Sequence, residues 1–227
     1  MKERPIPFSA PMVRALLDGT KTQTRHALRE QPPHHATELC SFYSPTRDGL
    51  AWYIWNEAEQ YLEGDWLAHC PYGQPGDRLW VREKCIAEGI PDGLYGVRYL
   101  ADDAFIPIQS TSEAADRWLD LRFYGKRPSP VATVKTVPAI HMPRWASRIT
   151  LEVIGVRVER LQEISVADAL AEGVNVHPDH HGKPRTSFYS PVQAYRDLWG
   201  AINGPGSWGA NPWVWVVEFR RAEGGAA

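Results

Sequence analysis

Six stretches of the chain carry a readable rhythm of hydrophobic and polar positions. Met12, Ala15 and Leu16 recur at i, i+3 and i+4 behind Ser9 and Pro11. This predicts a short helix that Ser9 caps and Gly19 ends. Leu79 and Val81 share one side of a strand predicted over residues 78–83, entered through the turn cluster Cys70 to Asp77. Ile149, Leu151 and Val153 alternate with Arg148, Thr150 and Glu152, and Val156 and Val158 resume the alternation. Residues 148–161 therefore read as β, with a bulge or bend expected at Gly155. Ser165 with Asp168 has the spacing of a capping box, with aspartate in place of the usual Glu or Gln. It predicts a short helix that buries Val166, Ala169 and Leu170, stops at Gly173 and leaves Glu172 at its C-terminal end. Residues 191–202 predict a further helix, with Val192, Tyr195, Leu198, Trp199 and Ile202 on its apolar side. In residues 213–219 both alternating sets are largely apolar, which predicts a central strand.

The remaining sequence reads as excursions from this core. Residues 30–72 open on Gln31-Pro32-Pro33-His34-His35 and are expected to be irregular, with a short strand around Trp52 and Ile54 and an acidic part at Glu57, Glu59, Glu63 and Asp65. Residues 86–147 are broken by Pro91, Gly93 and Gly96, with a short helix predicted over 113–121 and a polar loop over 126–130. Strands with short helices between them, and no regular βαβ alternation, predict a single α+β domain over 1–227. A small, mostly antiparallel barrel is the natural closure of such a sheet.

Composition narrows the function. Of 227 residues, 43% are hydrophobic, enough to bury a core; 25 basic against 27 acidic side chains leave a formal net charge of −2. That balance does not point to a general polyphosphate binder, for which a strongly basic domain is expected, and leaves room for a local basic groove. Cys40, Cys70 and Cys85 are an odd set without metal-ligand spacing, so a reducing, cytoplasmic compartment is expected. The start Met-Lys-Glu-Arg-Pro has no apolar run behind it, and no stretch reaches the length of a membrane span; no membrane partner is expected. His177, His180 and His181 match no strong zinc pattern and read as a solvated loop, so neither metal nor cofactor is expected. Ten tryptophans are spread along the chain. Most are expected in the core, and one or two can stack a base, worth about 1–3 kcal/mol.

The densest candidate chemistry is Leu17-Asp18-Gly19-Thr20-Lys21-Thr22-Gln23-Thr24-Arg25, a helix stop followed by a β-branched run. Taken alone it reads first as a polar surface turn, with Lys21 solvated or paired with Asp18 and Thr24 a plain strand residue. A lysine and hydroxyls at a helix-to-strand corner also suit catalysis or anion binding. Glu172 sits where a helix dipole disfavours a carboxylate, which points to a role outside helix stability.

The order of these blocks resembles the ASCH domain family, whose fold is similar to the PUA domain. The resemblance rests on a helix ending Gly-x-Lys-Thr-x-Thr, a Gly-Asp-x-Leu-x-Val strand, a long β segment, a short helix ending Ala-Glu-Gly, an aromatic helix and a last strand Val-Val-Glu-Phe. It covers about residues 5–29, 73–84, 146–175 and 190–221. Phe8-Ser9-Ala10-Pro11-Met12-Val13 and Pro205-Gly206-Ser207-Trp208 are similar to the larger ASCH proteins of phages and prophages. The resemblance implies a small β-barrel with packed helices and an association with RNA and modified nucleosides. The family includes a compact bacterial hydrolase that converts N4-acetylcytidine to cytidine and acetate. Its catalytic positions match Lys21, Thr24 and Glu172 here, while the insertions at about 30–72 and 85–145 are departures from it.

Three expectations follow from that resemblance. The first is an amidohydrolase acting on a nucleoside, in which Thr24 is the nucleophile, Lys21 its base and Glu172 the proton carrier or the group that orients Lys21. Lys21 and Thr24 lie three apart, so they converge only where the corner is not yet regular strand. Phe8, Ser9, Arg25, Trp80, Arg144, Trp145 and Arg148 are the candidate substrate contacts; Phe8, Trp80 and Trp145 can form an aromatic wall, though Trp80 suits the core better. The second is a non-catalytic RNA-binding module using Arg144, Trp145, Arg148, Lys126 and Arg127, with salt-dependent affinity. A ribonuclease is the third.

Overall fold

A computed structural model describes residues 1–33, 36–44, 49–56, 61–125, 135–174 and 190–222, the side chains of 56 and 61–66 apart. The histidine loop, Lys126, Arg127, Glu57 and Glu59 fall outside the described residues. The architecture is α+β. In chain order the elements are β1 (Glu3–Pro7), α1 (Ala10–Leu17), β2 (Gln23–Ala27), β3 (Glu38–Ser44), β4 (Gly49–Asn56), β5 (Tyr61–Ala68), β6 (Arg78–Arg82), β7 (Cys85–Gly89), β8 (Tyr95–Tyr99), β9 (Phe105–Pro107), α2 (Ser112–Arg122), β10 (Thr150–Arg160), α3 (Val166–Ala171), α4 (Pro191–Asn203) and β11 (Trp213–Arg221). One sheet runs β1-β6-β10-β11-β2; two three-stranded sheets run β3-β4-β5 and β7-β8-β9.

The chain forms two compact units. The first comprises Met1–Lys2, Asp18–Arg78 and Glu152–Arg220; the second comprises Glu3–Leu17, Leu79–Leu151 and Arg221–Ala227.

In the first unit β2 and β11 pair antiparallel, with Thr24 opposite Val217 and Arg25 opposite Val216. Paired residues share a face and neighbours alternate. One face therefore carries Gln23, Arg25, Val214, Val216 and Glu218, the other Thr24, His26, Trp215 and Val217. Val214 and Val216 pack with Leu161, Ile164, Ala169 of α3, and Tyr195 and Trp199 of α4. Trp215 meets Trp52 edge-on at 4.8 Å. As its apolar composition predicts, β11 lies between two strands. Residues 30–72, expected to be irregular, instead hold the antiparallel meander β3–β5, with Glu38 opposite Trp55 and Ser44 opposite Gly49.

β10 includes Gly155, where an added Cβ would lie 2.7 Å from Glu218 Oε2. Two other expectations are corrected here. In α3 only Ala169 is buried; Val166 and Leu170 are 53% and 44% exposed, since six residues offer one contact row to α4. Ile202 of α4 is likewise exposed.

In the second unit β7, β8 and α2 enclose a core of Cys85, Ala87, Val97, Tyr99, Trp118 and Leu121, where an excursion was expected. Trp118 Nε1 donates to Gly96 O at 2.8 Å and Tyr99 Oη to Ala146 O at 2.8 Å. Buried Glu83 accepts two hydrogen bonds from Arg148, at 2.8 and 2.9 Å, and Arg148 also donates to both Asp102 oxygens.

Candidate functional site

The site belongs to the first unit and starts from a backbone clamp. Gly19, at φ +73°, turns the chain out of α1 through a conformation that glycine enters without a Cβ penalty. Lys21 then forms an isolated antiparallel bridge with Glu172, and Thr22 N donates to Ala171 O at 2.8 Å. Two segments 151 residues apart in sequence are thus held side by side.

Glu172 closes α3. The Ser165–Asp168 capping box opens that helix, and Glu172 N donates to Asp168 O at 2.9 Å at its end. Both Lys21 and Glu172 are 2% exposed. Lys21 Nζ donates to Glu172 Oε2 at 3.0 Å, to Glu172 O at 2.9 Å and to Gln23 O at 2.8 Å. Gln23 O belongs to the peptide bond that links Gln23 to Thr24, so the amine is bound one peptide group from the Thr24 side chain. Lys21 precedes the regular part of β2, while Thr24 lies inside it. Thr24 is 2% exposed, and its hydroxyl forms no hydrogen bond among the described residues.

Around this core lies a lattice of charges. Glu172 Oε1 accepts from Arg25 Nη1 at 3.0 Å. Arg25 also donates Nε and Nη2 to Glu159 Oε1, at 3.0 and 2.6 Å, and its Nη2 lies 3.5 Å from Asp168. Arg157 reaches Glu159 and Asp168 at 3.0 and 2.9 Å, and also pairs with Glu218. Gln23 Nε2 donates to Asp168 O and Oδ1.

The electrostatics follow from burial and these partners. Burial pushes the Lys21 amine below the ordinary lysine range; the Glu172 carboxylate opposes this and the Arg25 charge adds to it. For Arg25 burial acts downward, yet Glu172 and Glu159 raise it overall. Partial burial works to raise Asp168, but hydrogen bonds from Ser165 and Gln23 and the Arg25 charge bring it down to about 2. His26, on the Thr24 face, is lowered to about 4 by burial and then by the Lys21 charge. Tyr195 is raised by burial and by Glu172, and its ring centroid lies 6.0 Å from the Arg25 guanidinium carbon.

The structure thus brings Lys21, Glu172, Arg25 and the Thr24 peptide together. Arg25, expected to contact substrate, has a side chain closed to solvent and committed to carboxylates. The other candidate contacts lie in the second unit. There Phe8 is buried, Ser9 is exposed and accepts from Val13 N, and Trp145 packs against the α2 core. Trp80 is buried, with the guanidinium carbons of Arg82 and Arg144 at 4.5 and 5.9 Å from its ring. Arg144 pairs with Glu3, and Arg148 lies over Tyr99 at 4.1 Å while bound to Glu83 and Asp102.

Gln23, His26, Arg157, Glu159 and Tyr195 were not among the candidate site residues of the sequence reading. Arg157 and Glu159 had one signal, two opposite charges two apart in a strand and therefore on one face. Among the described residues no group of three or more His, Cys, Asp or Glu is arranged to hold a metal ion, and no helix is long and apolar enough to cross a membrane. Comparison with protein-family models, curated proteins and solved structures gives no match for this chain.

Proposed function

We propose that the chain is an ASCH-type protein with a PUA-like barrel that hydrolyses the N4-acyl amide of acylated cytosine nucleosides, releasing cytidine and a carboxylic acid. The observation that carries this reading is the buried Lys21–Glu172 pair, bound to the Gln23–Thr24 peptide from 151 positions away. A lysine with a depressed pKa, a carboxylate in contact with it and a threonine one peptide group from the bound amine supply the residue types of a nucleophile–base–proton-carrier set.

The roles follow from the contacts. Lys21 passes a proton to Glu172 along their 3.0 Å hydrogen bond and is left as a neutral amine. That amine takes the Thr24 hydroxyl proton as the oxygen attacks the acyl carbon. The tetrahedral intermediate collapses with loss of the cytosine nitrogen, which takes the proton held by Glu172. Water then cleaves the Thr24 ester by the same route and releases the acid. Arg25 positions Glu172 and, as a fixed cation, favours the neutral amine.

Incubation with N4-acetylcytidine, followed for cytidine release, tests the reading beside an RNA titration at two salt concentrations. Turnover that disappears in Lys21→Ala, Thr24→Ala and Glu172→Ala supports it. Absence of turnover together with salt-dependent RNA affinity replaces it with the RNA-binding module, and RNA cleavage replaces it with the ribonuclease.

A further inference from the structure

The Arg25 guanidinium is divided between carboxylates. Nη1 donates to Glu172 Oε1 at 3.0 Å, while Nε and Nη2 both donate to Glu159 Oε1, at 3.0 and 2.6 Å. Glu172 is divided in the same way: Oε1 faces Arg25 and Oε2 faces Lys21, each at 3.0 Å. An arginine left to itself grips one carboxylate through two parallel N–H bonds. Nη2 belongs to both two-pronged edges of the group, and here Glu159 holds it. Asp168 lies 3.5 Å from Nη2, an ion-pair distance too long to hold that edge alone. Glu159 is itself fixed. Arg157, two residues back on the same face of β10, donates Nε to Glu159 Oε2 at 3.0 Å and is tied in turn to Asp168 and Glu218. Because β10 and β2 flank β11, the Glu159–Arg25 pair spans that strand. Tyr195 of α4 and His26 of β2 also act electrostatically on this array.

We infer that Glu159 is a positioning residue of the site: it holds the two-pronged edge of Arg25, so that Arg25 takes one oxygen of Glu172 and leaves the other to Lys21. Its effect on turnover rests on the acylcytosine reading above. Without this hold, Arg25 turns both prongs to Glu172 and draws Oε2 away from Lys21. The amine then keeps a nearby cation and loses its carboxylate, so it gives up its proton at lower pH. Glu172 is no longer placed to pass a proton to the leaving nitrogen.

Two conservative variants separate grip from charge. Glu159→Asp keeps the charge and falls one methylene short of Arg25; Glu159→Gln keeps an oxygen at the same reach and loses the charge. With N4-acetylcytidine, Glu159→Asp should lower kcat about ten-fold with KM within about three-fold, and Glu159→Gln should retain more of kcat. In Glu159→Asp the acidic limb of the kcat/KM profile should move to lower pH by about 0.5 or more. Nitrogen-15 NMR of the lysine amines follows Lys21 without substrate, with Lys21→Met giving the assignment, and its titration should move the same way. Wild-type kcat in Glu159→Asp, a loss at every pH with the limb and the Lys21 titration in place, or greater damage in Glu159→Gln than in Glu159→Asp overturns the assignment. Wild-type turnover with an unaffected Glu159→Asp removes only the role of Glu159. If the wild type hydrolyses no acylcytosine, that reading falls and the Lys21 titration decides alone: a shift in Glu159→Asp supports the hold on Arg25, and no shift overturns it.

Discussion

Burying Lys21 costs free energy that its partners return. Glu172 faces two buried cations, Lys21 and Arg25. Glu172→Ala leaves the Lys21 amine without its carboxylate while Arg25 keeps Glu159 and Asp168, and breaking a buried pair this way costs about 3–5 kcal/mol. Urea unfolding should show a loss in that range together with loss of turnover. Lys21→Met should cost less stability, because Arg25 still neutralises Glu172, and should abolish turnover equally. Thr24→Ala separates chemistry from stability more sharply. Its hydroxyl has no partner among the described residues, so the variant should stay within about 1 kcal/mol of wild type while turnover falls about a thousand-fold, and Thr24→Ser should restore part of it. His26 carries a pH signature. The unfolded chain takes up this proton below 6.5, the folded chain only below about 4, so the unfolded state binds more protons between those values. Stability should therefore fall on acidification from 6.5 to 4, by at most about 3 kcal/mol and by less where the partly exposed ring is screened. His26→Phe should flatten that slope. Loss below 3.8 should remain, because Asp168 gives up its partners only as pH drops from 3.8 toward about 2. Unfolding free energies at closely spaced pH values resolve the two windows.

At the scale of elements, the site depends on where α3 ends. Ser165→Ala removes the side-chain half of the capping box and should cost about 1 kcal/mol. Because Glu172 closes that helix, the same substitution should lower kcat more than it raises KM, as steady-state kinetics would show. This part of the fold was legible in the sequence: cap, stop and buried Ala169 are local signals. Lys21, Thr24 and Glu172 were singled out through block order, and the clamp at Lys21 and Thr22 that joins Lys21 to Glu172 was not legible. β1 was missed because Pro5 and Pro7 cannot donate to a ladder; the strand ends its sheet, where prolines are tolerated. The meander β3–β5 was missed because Glu38–Ser44 alternates poorly and Tyr61–Ala68 carries Glu63, Gly64 and Asp65. Val166 and Leu170 were misread because periodicity names an apolar face without saying whether anything covers it. Glu159 and Arg157 became readable only once strand pairing set them beside Arg25.

At the scale of the molecule, charge balance sets what the site can accept. The chain is nearly neutral, at −2 overall, and the lattice around Lys21 sets Lys21, Arg25 and Arg157 against Glu159, Asp168, Glu172 and Glu218. Its cations are already paired with carboxylates, so a substrate phosphate would find a slight excess of negative charge. Arg144 and Arg148, the residues on which RNA binding was expected to rest, are themselves held by Glu3, Glu83 and Asp102. A neutral nucleoside avoids both costs. N4-acetylcytidine should therefore be turned over with a higher kcat/KM than its 5′-monophosphate. For the neutral substrate, kcat/KM should change by less than about two-fold between 50 and 500 mM salt, since no counterions are released when it binds. A preference for the phosphorylated form, or a steep decline with salt, would instead require a phosphate-binding cation outside this lattice, and steady-state kinetics on the two substrates across that salt range decides between them.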